Sequence, residues 1–221
     1  MSALELLKKD VLLFCHYFHS EKEAIDLKNE YPHVRLLKGD LSQHITARQL
    51  IERIVDEAGR IDVLVNSAAI FLKTPFGEIT EDHWDNLFNL NLKAGFFLAQ
   101  ESGKVMLEKG SGKIINIADT SGLSPWPSYI PYSMTKSGVI NMTKGLARAL
   151  APKVQVNGIN PGPVLLPSDY TPAQRQQALA QTILKREGRA EDVAYAVRFL
   201  LEDGDYITGS VISVDGGRNL I

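Results

Sequence analysis

Six short apolar runs, separated by stretches with helical periodicity, constrain the fold more than any other feature of this chain. They are Val11–Cys15, Val34–Leu37, Ile61–Asn66, Lys113–Ala118, Val154–Ile159 and Val211–Val214. Short, largely apolar runs of this kind suit strands buried on both faces of a parallel sheet. The intervening stretches read as helices. Ala3–Lys9 reads as the end of one. Ser20 is placed to cap the next, with Glu23 completing a capping box. Ala47–Ala58 puts Leu50, Ile51, Ile54 and Val55 on one face, and Gly59 closes it. Thr80 caps a long helical stretch from Glu81 toward Leu107. Gly138–Leu150 continues a helix already under way at Lys136. Pro172–Lys185 and Ala190–Leu201 complete the set. Strand and helix in alternation predict an α/β fold with a doubly wound, Rossmann-like parallel sheet, in a single domain over residues 1–221.

Composition narrows the function classes. Of 221 residues, 44% are hydrophobic, enough for one sizeable core. The net charge of −2 gives no basic footprint for nucleic acid or an anionic membrane surface. No apolar run is long enough to span a bilayer, and the opening residues lack a signal-peptide core. The single cysteine, Cys15, forms no internal disulfide, which fits a cytoplasmic protein. Nothing suggests a metal site.

In doubly wound sheets, ligands gather at the carboxyl ends of the strands. Asp40, Asn66, Asp119 and Pro161-Gly162 all follow predicted strands. The stretch Asp119–Lys136 ends in Tyr132-Ser133-Met134-Thr135-Lys136, and on a helix Tyr132 and Lys136 lie one turn apart on one face. A nearby ammonium favours phenolate and lowers a tyrosine's pKa. A tyrosine tuned this way can exchange a proton with a substrate. A bare pair of this kind is also common on ordinary helix surfaces.

Taken in order, Asp40-Leu41, Asn66-Ser67-Ala68-Ala69, Asn91-Leu92, Tyr132 through Lys136, Asn160-Pro161-Gly162 and Asp215-Gly216-Gly217 resemble the short-chain dehydrogenase/reductase family. The resemblance implies a hydride-transferring enzyme that binds NAD or NADP and a small-molecule substrate. It implies Tyr132 as proton donor and Lys136 as its modulator and a contact of the nicotinamide ribose. Asn91 would support a water in a proton relay. Asp40 and Leu41 would border the adenine, Asn66 and Ala68 the adenosine ribose, and Pro161 and Gly162 the nicotinamide. The helices Glu81–Leu107 and Tyr132–Leu150 resemble those through which family members pair, implying a homo-oligomer. Bland alternatives remain for several residues. Asn91 can kink its helix, Asn66 can tie strand ends together, and Asp215-Gly216-Gly217 can be only a turn.

Two departures shape the expected chemistry. The family's catalytic serine lies thirteen positions before the tyrosine, where this chain has Asp119, and Ser121 comes two places late. A carboxylate there repels the oxyanion that a serine hydroxyl would stabilise. The pteridine reductase branch carries Asp at this place. That branch also resembles this chain at His16–Ser20, at Phe71 (where it stacks on the pterin) and at Asn160–Pro167. The turn Tyr17-Phe18-His19-Ser20 has no acid to hold a ribose 2′-hydroxyl, and Ser20 at a helix N-terminus suits a 2′-phosphate, so NADP(H) is expected. The expected reaction is NADPH-dependent reduction of a pterin or similar C=N or C=O substrate, with Phe71, Asp119 and Tyr132 around it. The alternatives are a general carbonyl reductase, such as one acting on 3-oxoacyl thioesters, and a non-catalytic scaffold. The second departure is the glycine-rich turn and opening strand of the family. No glycine precedes Gly39, so the domain reads as N-terminally incomplete, lacking a central strand and its pyrophosphate contact.

Overall fold

All six expected strands form, and every pairing between them is parallel. The structure, a computed structural model, describes residues 11–167 and 169–221. The helix expected at Ala3–Lys9 lies outside them. The strands are β1 (Phe14–Tyr17), β2 (Arg35–Lys38), β3 (Val63–Asn66), β4 (Gly112–Ile117), β5 (Val154–Pro161) and β6 (Val211–Val214). The helices are α1 (Glu21–Glu30), α2 (His44–Ala58), α3 (Glu81–Phe88), α4 (Gly95–Lys109), α5 (Ile130–Leu150), α6 (Pro172–Ala180) and α7 (Ala190–Glu202).

Residue alternation on β4 and β5 explains why the sheet is covered on both faces. Ile114, Val154 and Val156 point to one side, into a core with Ile51, Ala99, Met106, Leu146 and Leu150 from α2, α4 and α5. Ile115 and Ile159 point to the other, against Val197 and Leu200 of α7. Ile114, Val156 and Ile159 are fully buried.

The sheet is interrupted. β3, β4, β5 and β6 form one ladder and β1 and β2 another, with no pairing between β1 and β3. β3 is therefore an edge, and Val63 and Val65 remain 42% exposed there. The small ladder is held by helices instead. Leu37, Leu41, Leu50 and Ala94 form a core with Phe14, Leu90 and Leu98 packed on it.

Three local expectations change. β1 begins at Phe14 rather than Val11, because pairing with β2 starts there, and Val11 and Leu12 are exposed. Ser20 stands at the N-cap of α1 without a side-chain cap bond, so the Ser20–Glu23 capping box does not form. The helix expected over Pro172–Lys185 stops at Ala180. The next residues turn away because Ile183 and Leu184 donate their N–H groups to the carbonyl of Gly216.

Candidate active site

The site is built where β4 hands over to α5. The chain leaves β4 through Asp119, whose carboxylate accepts the N–H of Ser121 at 2.7 Å and opens a single 3-10 turn, Thr120–Gly122. Only glycine fits at 122, since a Cβ there would lie 2.8 Å from the carbonyl carbon of Lys136. That close approach seats the turn on α5, and Ser137 Oγ donates to the Gly122 carbonyl at 2.7 Å. α5 starts with Pro131 in its first turn, where a missing N–H costs nothing. Tyr132 and Lys136 follow on its buried face.

Lys136 Nζ donates to the carbonyl of Ile117 at 3.1 Å and lies 5.7 Å from the Tyr132 ring centroid. Burial pushes the ammonium down to about 8, against the pull of the Asp119 carboxylate. Tyr132 is pushed well above the ordinary phenol range, by burial first and then by the charge of Asp119 and a hydrogen bond to it. Burial also raises Asp119, opposed by Ser121, Lys136 and Tyr132. The sequence led us to expect Lys136 to lower the tyrosine pKa. In this structure desolvation and the facing carboxylate set the direction, which is upward. The phenol is therefore protonated near neutral pH, as a proton donor must be, while its raised pKa makes it a weaker acid in this unliganded site.

Asn91 sits in one π-helical turn, Asn89–Ala94, between α3 and α4. Such turns recur at functional sites. Its amide clamps Ile70 from both sides, accepting the Ile70 N–H at 2.8 Å and donating to the Ile70 carbonyl at 2.9 Å. This fixes the segment carrying Phe71. Phe71 stacks on Tyr129 at 4.5 Å and 7°, and meets Tyr132 edge-on at 4.9 Å and Trp126 at 6.2 Å. These rings form a wall of a cleft of about 690 Å³, lined also by Asp119, Gly162, Tyr170 and Arg218. One face of Phe71 is thus already covered by Tyr129. Ser121, by contrast, is fully buried with an unpartnered hydroxyl and does not line the cleft. It does not replace the missing serine.

Gly162 stands at the end of β5, where a Cβ would meet the backbone of Asp215 at 2.7 Å. Pro161 pairs with Val214 of β6. Asn66 donates to Asn116 Oδ1 at 2.9 Å and to the Gly95 carbonyl at 3.1 Å, so it does tie strand ends together. Ala68 is exposed beside it. Across the sheet break, His16 bonds the Gly39 carbonyl at 2.7 Å and the Phe18 and His19 rings lie 4.0 Å apart. Tyr17 ends β1, and Ser20 is exposed. Asp40 accepts the Ser42 N–H at 2.9 Å, and its hydrogen bonds with Ser42 hold its carboxyl below the usual range. Leu41 is 4% exposed and packs into the core, so only its backbone faces the edge.

These residues fit the two ends of a nicotinamide dinucleotide. Tyr132, Lys136, Pro161 and Gly162 could hold one end, and Tyr17–Ser20 with Asp40 the other. Between them, no described residue supplies a glycine-rich turn. Among the described residues no cluster of metal-ligating side chains occurs, and no helix is long and apolar enough to cross a membrane. The sequence reading missed Trp126, Tyr129, Tyr170 and Arg218, which chain folding brings together from three separate segments. The only sequence signal was the density of aromatic residues between Trp126 and Tyr132.

An interrupted parallel sheet with a Tyr-Lys pair at its carboxyl edge defines an oxidoreductase of the doubly wound α/β class. The chain belongs to the short-chain dehydrogenase/reductase family: the family profile described as Enoyl-(Acyl carrier protein) reductase matches residues 2–219. It is 37% identical over 174 residues to the 3-oxoacyl-[acyl-carrier-protein] reductase FabG of Thermotoga maritima, covering 77% of this chain and 71% of that protein. It is 35% identical over 191 residues to the 4-formylbenzenesulfonate dehydrogenase TsaC1/TsaC2 of Comamonas testosteroni, covering 82% and 76%. A third relative, the FabG of Staphylococcus aureus, is 33% identical over 225 residues, covering 97% and 91%. None of these similarities singles out the pteridine reductase branch.

Proposed function

We propose that this chain is a nicotinamide-dependent carbonyl reductase, with 3-oxoacyl thioesters as the first substrate class to test. The observation that carries the reading is the buried Tyr132–Lys136 pair, of which Tyr132 lines the aromatic cleft. The relatives' names agree on one functional group, a carbonyl, as a 3-oxoacyl or a formyl carbon. The cofactor, when bound, supplies the hydride. Tyr132 gives its proton to the oxygen of the reduced carbonyl. Lys136 lies beside it, with Nζ 5.7 Å from the ring centroid. Asn91 positions the cleft wall through Ile70. NADP(H) is the preferred form, because no acid lies in Tyr17–Ser20 and the Ser20 hydroxyl is not spent on a cap. Glu21 in the first turn of α1 opposes a phosphate there, but it is paired with Lys38 at 3.0 Å. The enzyme is a cytoplasmic homo-oligomer paired through the α4 and α5 faces, which leave Phe96 and Met134 exposed.

Asp119 and Phe71 favour a second reading, reduction of a pterin. The Asp119 carboxylate faces Tyr132 where an oxyanion would form, and a raised carboxyl can pass a proton toward a ring nitrogen. Steady-state assays with acetoacetyl-CoA and a dihydropterin separate the two. On the carbonyl reading, Tyr132→Phe lowers acetoacetyl-CoA turnover about 10²-fold or more, and Asp119→Ser raises it. Turnover of the dihydropterin alone, lost in Asp119→Ser, establishes the pterin reading. Turnover of neither leaves the scaffold.

A further inference from the structure

The cleft has a cation that the proposed chemistry does not use. Arg218 follows the turn Asp215-Gly216-Gly217, and that turn is rigidly built. The Asp215 carboxylate accepts the N–H groups of Gly217 at 2.9 Å and Asn219 at 3.0 Å. Gly216 and Gly217 both take positive φ, at 61° and 80°, a conformation that favours glycine. The turn therefore presents Arg218 in one direction, back toward α6 and the cleft. Its guanidinium donates to the Ala178 carbonyl at 3.3 Å and to Gln181 Oε1 at 2.6 Å. The guanidinium carbon lies 4.8 Å from the Trp126 ring centroid.

A guanidinium carries five N–H donors in a flat fork. Among the described residues, the two bonds just named leave the rest of the fork without a hydrogen-bond partner, and no carboxylate lies in ion-pair contact with it. The group is half-buried, and that burial draws it below the usual arginine range. The cleft lining contains two cations, Lys73 and Arg218, against one acid, Asp119. Asp215, the other acid near Arg218, is committed to the turn. The rings of Phe71 and Trp126 lie along the wall between Tyr132 and Arg218.

We propose that Arg218 is an anion subsite selecting carbonyl substrates that carry a carboxylate at the end remote from the reacting carbon. The flat body of the substrate lies against one of Phe71 and Trp126, whose rings stand at 88° to each other, with its carbonyl at Tyr132. The fork of Arg218 matches a carboxylate in a bidentate pair, which a lysine cannot reproduce. The choice of substrate end rests on the reductase reading, whereas the anion subsite itself does not.

The test has two readouts. Calorimetric titration with benzoate and benzamide needs no turnover. Benzoate should bind the wild type at least about tenfold tighter than benzamide. Arg218→Gln should abolish that difference, and Arg218→Lys should restore part of it, which separates lost recognition from a damaged fold. Steady-state reduction of 4-formylbenzoate and 4-formylbenzamide gives the second readout, with the preference in kcat/KM collapsing in Arg218→Gln through KM. Equal binding of the two benzoyl probes, or a preference that survives in Arg218→Gln, overturns the proposal. Benzoate binding that depends on Arg218, with neither aldehyde reduced, upholds the subsite and counts against the reductase reading.

Discussion

The β3–β6 ladder and the β1–β2 ladder carry opposite ends of the same edge, yet they are built differently. Around β4, strands pair on both sides, both faces are covered, and the polar residues are wired together. Asn116 accepts from Asn66 and donates to Thr143 at 3.0 Å, and Lys136 is anchored on Ile117. The β1–β2 ladder has one pairing and is tied to the rest by helix packing. Its site residues are mostly exposed or half-exposed. The chemical end of the cleft is therefore fixed by the core. The end assigned to the adenosine moiety rests on a ribbon whose second edge is open. Reacting groups need fixed geometry and a dry setting, whereas a remote binding end tolerates more freedom.

The difference is open to three measurements. Native-state hydrogen exchange has the largest expected effect. Amides of Ile114–Asn116 and Val156–Ile159 should exchange about 10³-fold more slowly than those of Cys15–Tyr17 and Leu36–Lys38, equivalent to roughly 4 kcal/mol of opening free energy. Equal protection would show that helix packing alone makes the two ladders one cooperative unit.

Stability against pH probes the dry end. The folded-state pKa of Lys136 is lowered from 10.5 to about 8. Below about 8 both folded and unfolded chains carry the ammonium, and the penalty for burying it is fully present. Between about 8 and 10.5 the unfolded chain holds a proton that the folded chain has released, so stability rises with pH. The raised phenols of Tyr132 and Tyr129 oppose this near pH 10, so the expected signal is the difference from Lys136→Met in urea unfolding, which should grow by on the order of 3 kcal/mol across that window. A flat difference would mean that water reaches Lys136.

The smallest effect concerns the wall between the two ends. Phe71→Ala should weaken binding of a flat aromatic carbonyl by about 1 kcal/mol, or roughly fivefold in Kd. An unchanged Kd would reduce Phe71 to a packing partner of Tyr129.

Much of this was legible in the chain itself. Strand and helix order, the parallel sheet, and the placement of Asp40, Asn66, Asp119 and Pro161-Gly162 at strand ends follow from apolar runs and turn residues, which are local patterns. So does the spacing that puts Tyr132 and Lys136 on one helix face. The sequence also marked Asp119 as a departure. Only the tertiary structure decided the rest. It showed that Asp119 and burial raise the Tyr132 phenol, because desolvation depends on what packs around a group and not on its neighbours in sequence. It divided the sheet in two, since pairing is settled between distant segments. It also brought Arg218, Trp126 and Tyr129 to the cleft that Tyr132 opens onto. No spacing rule links residues that meet only through the turn after β6 and the loop before α5.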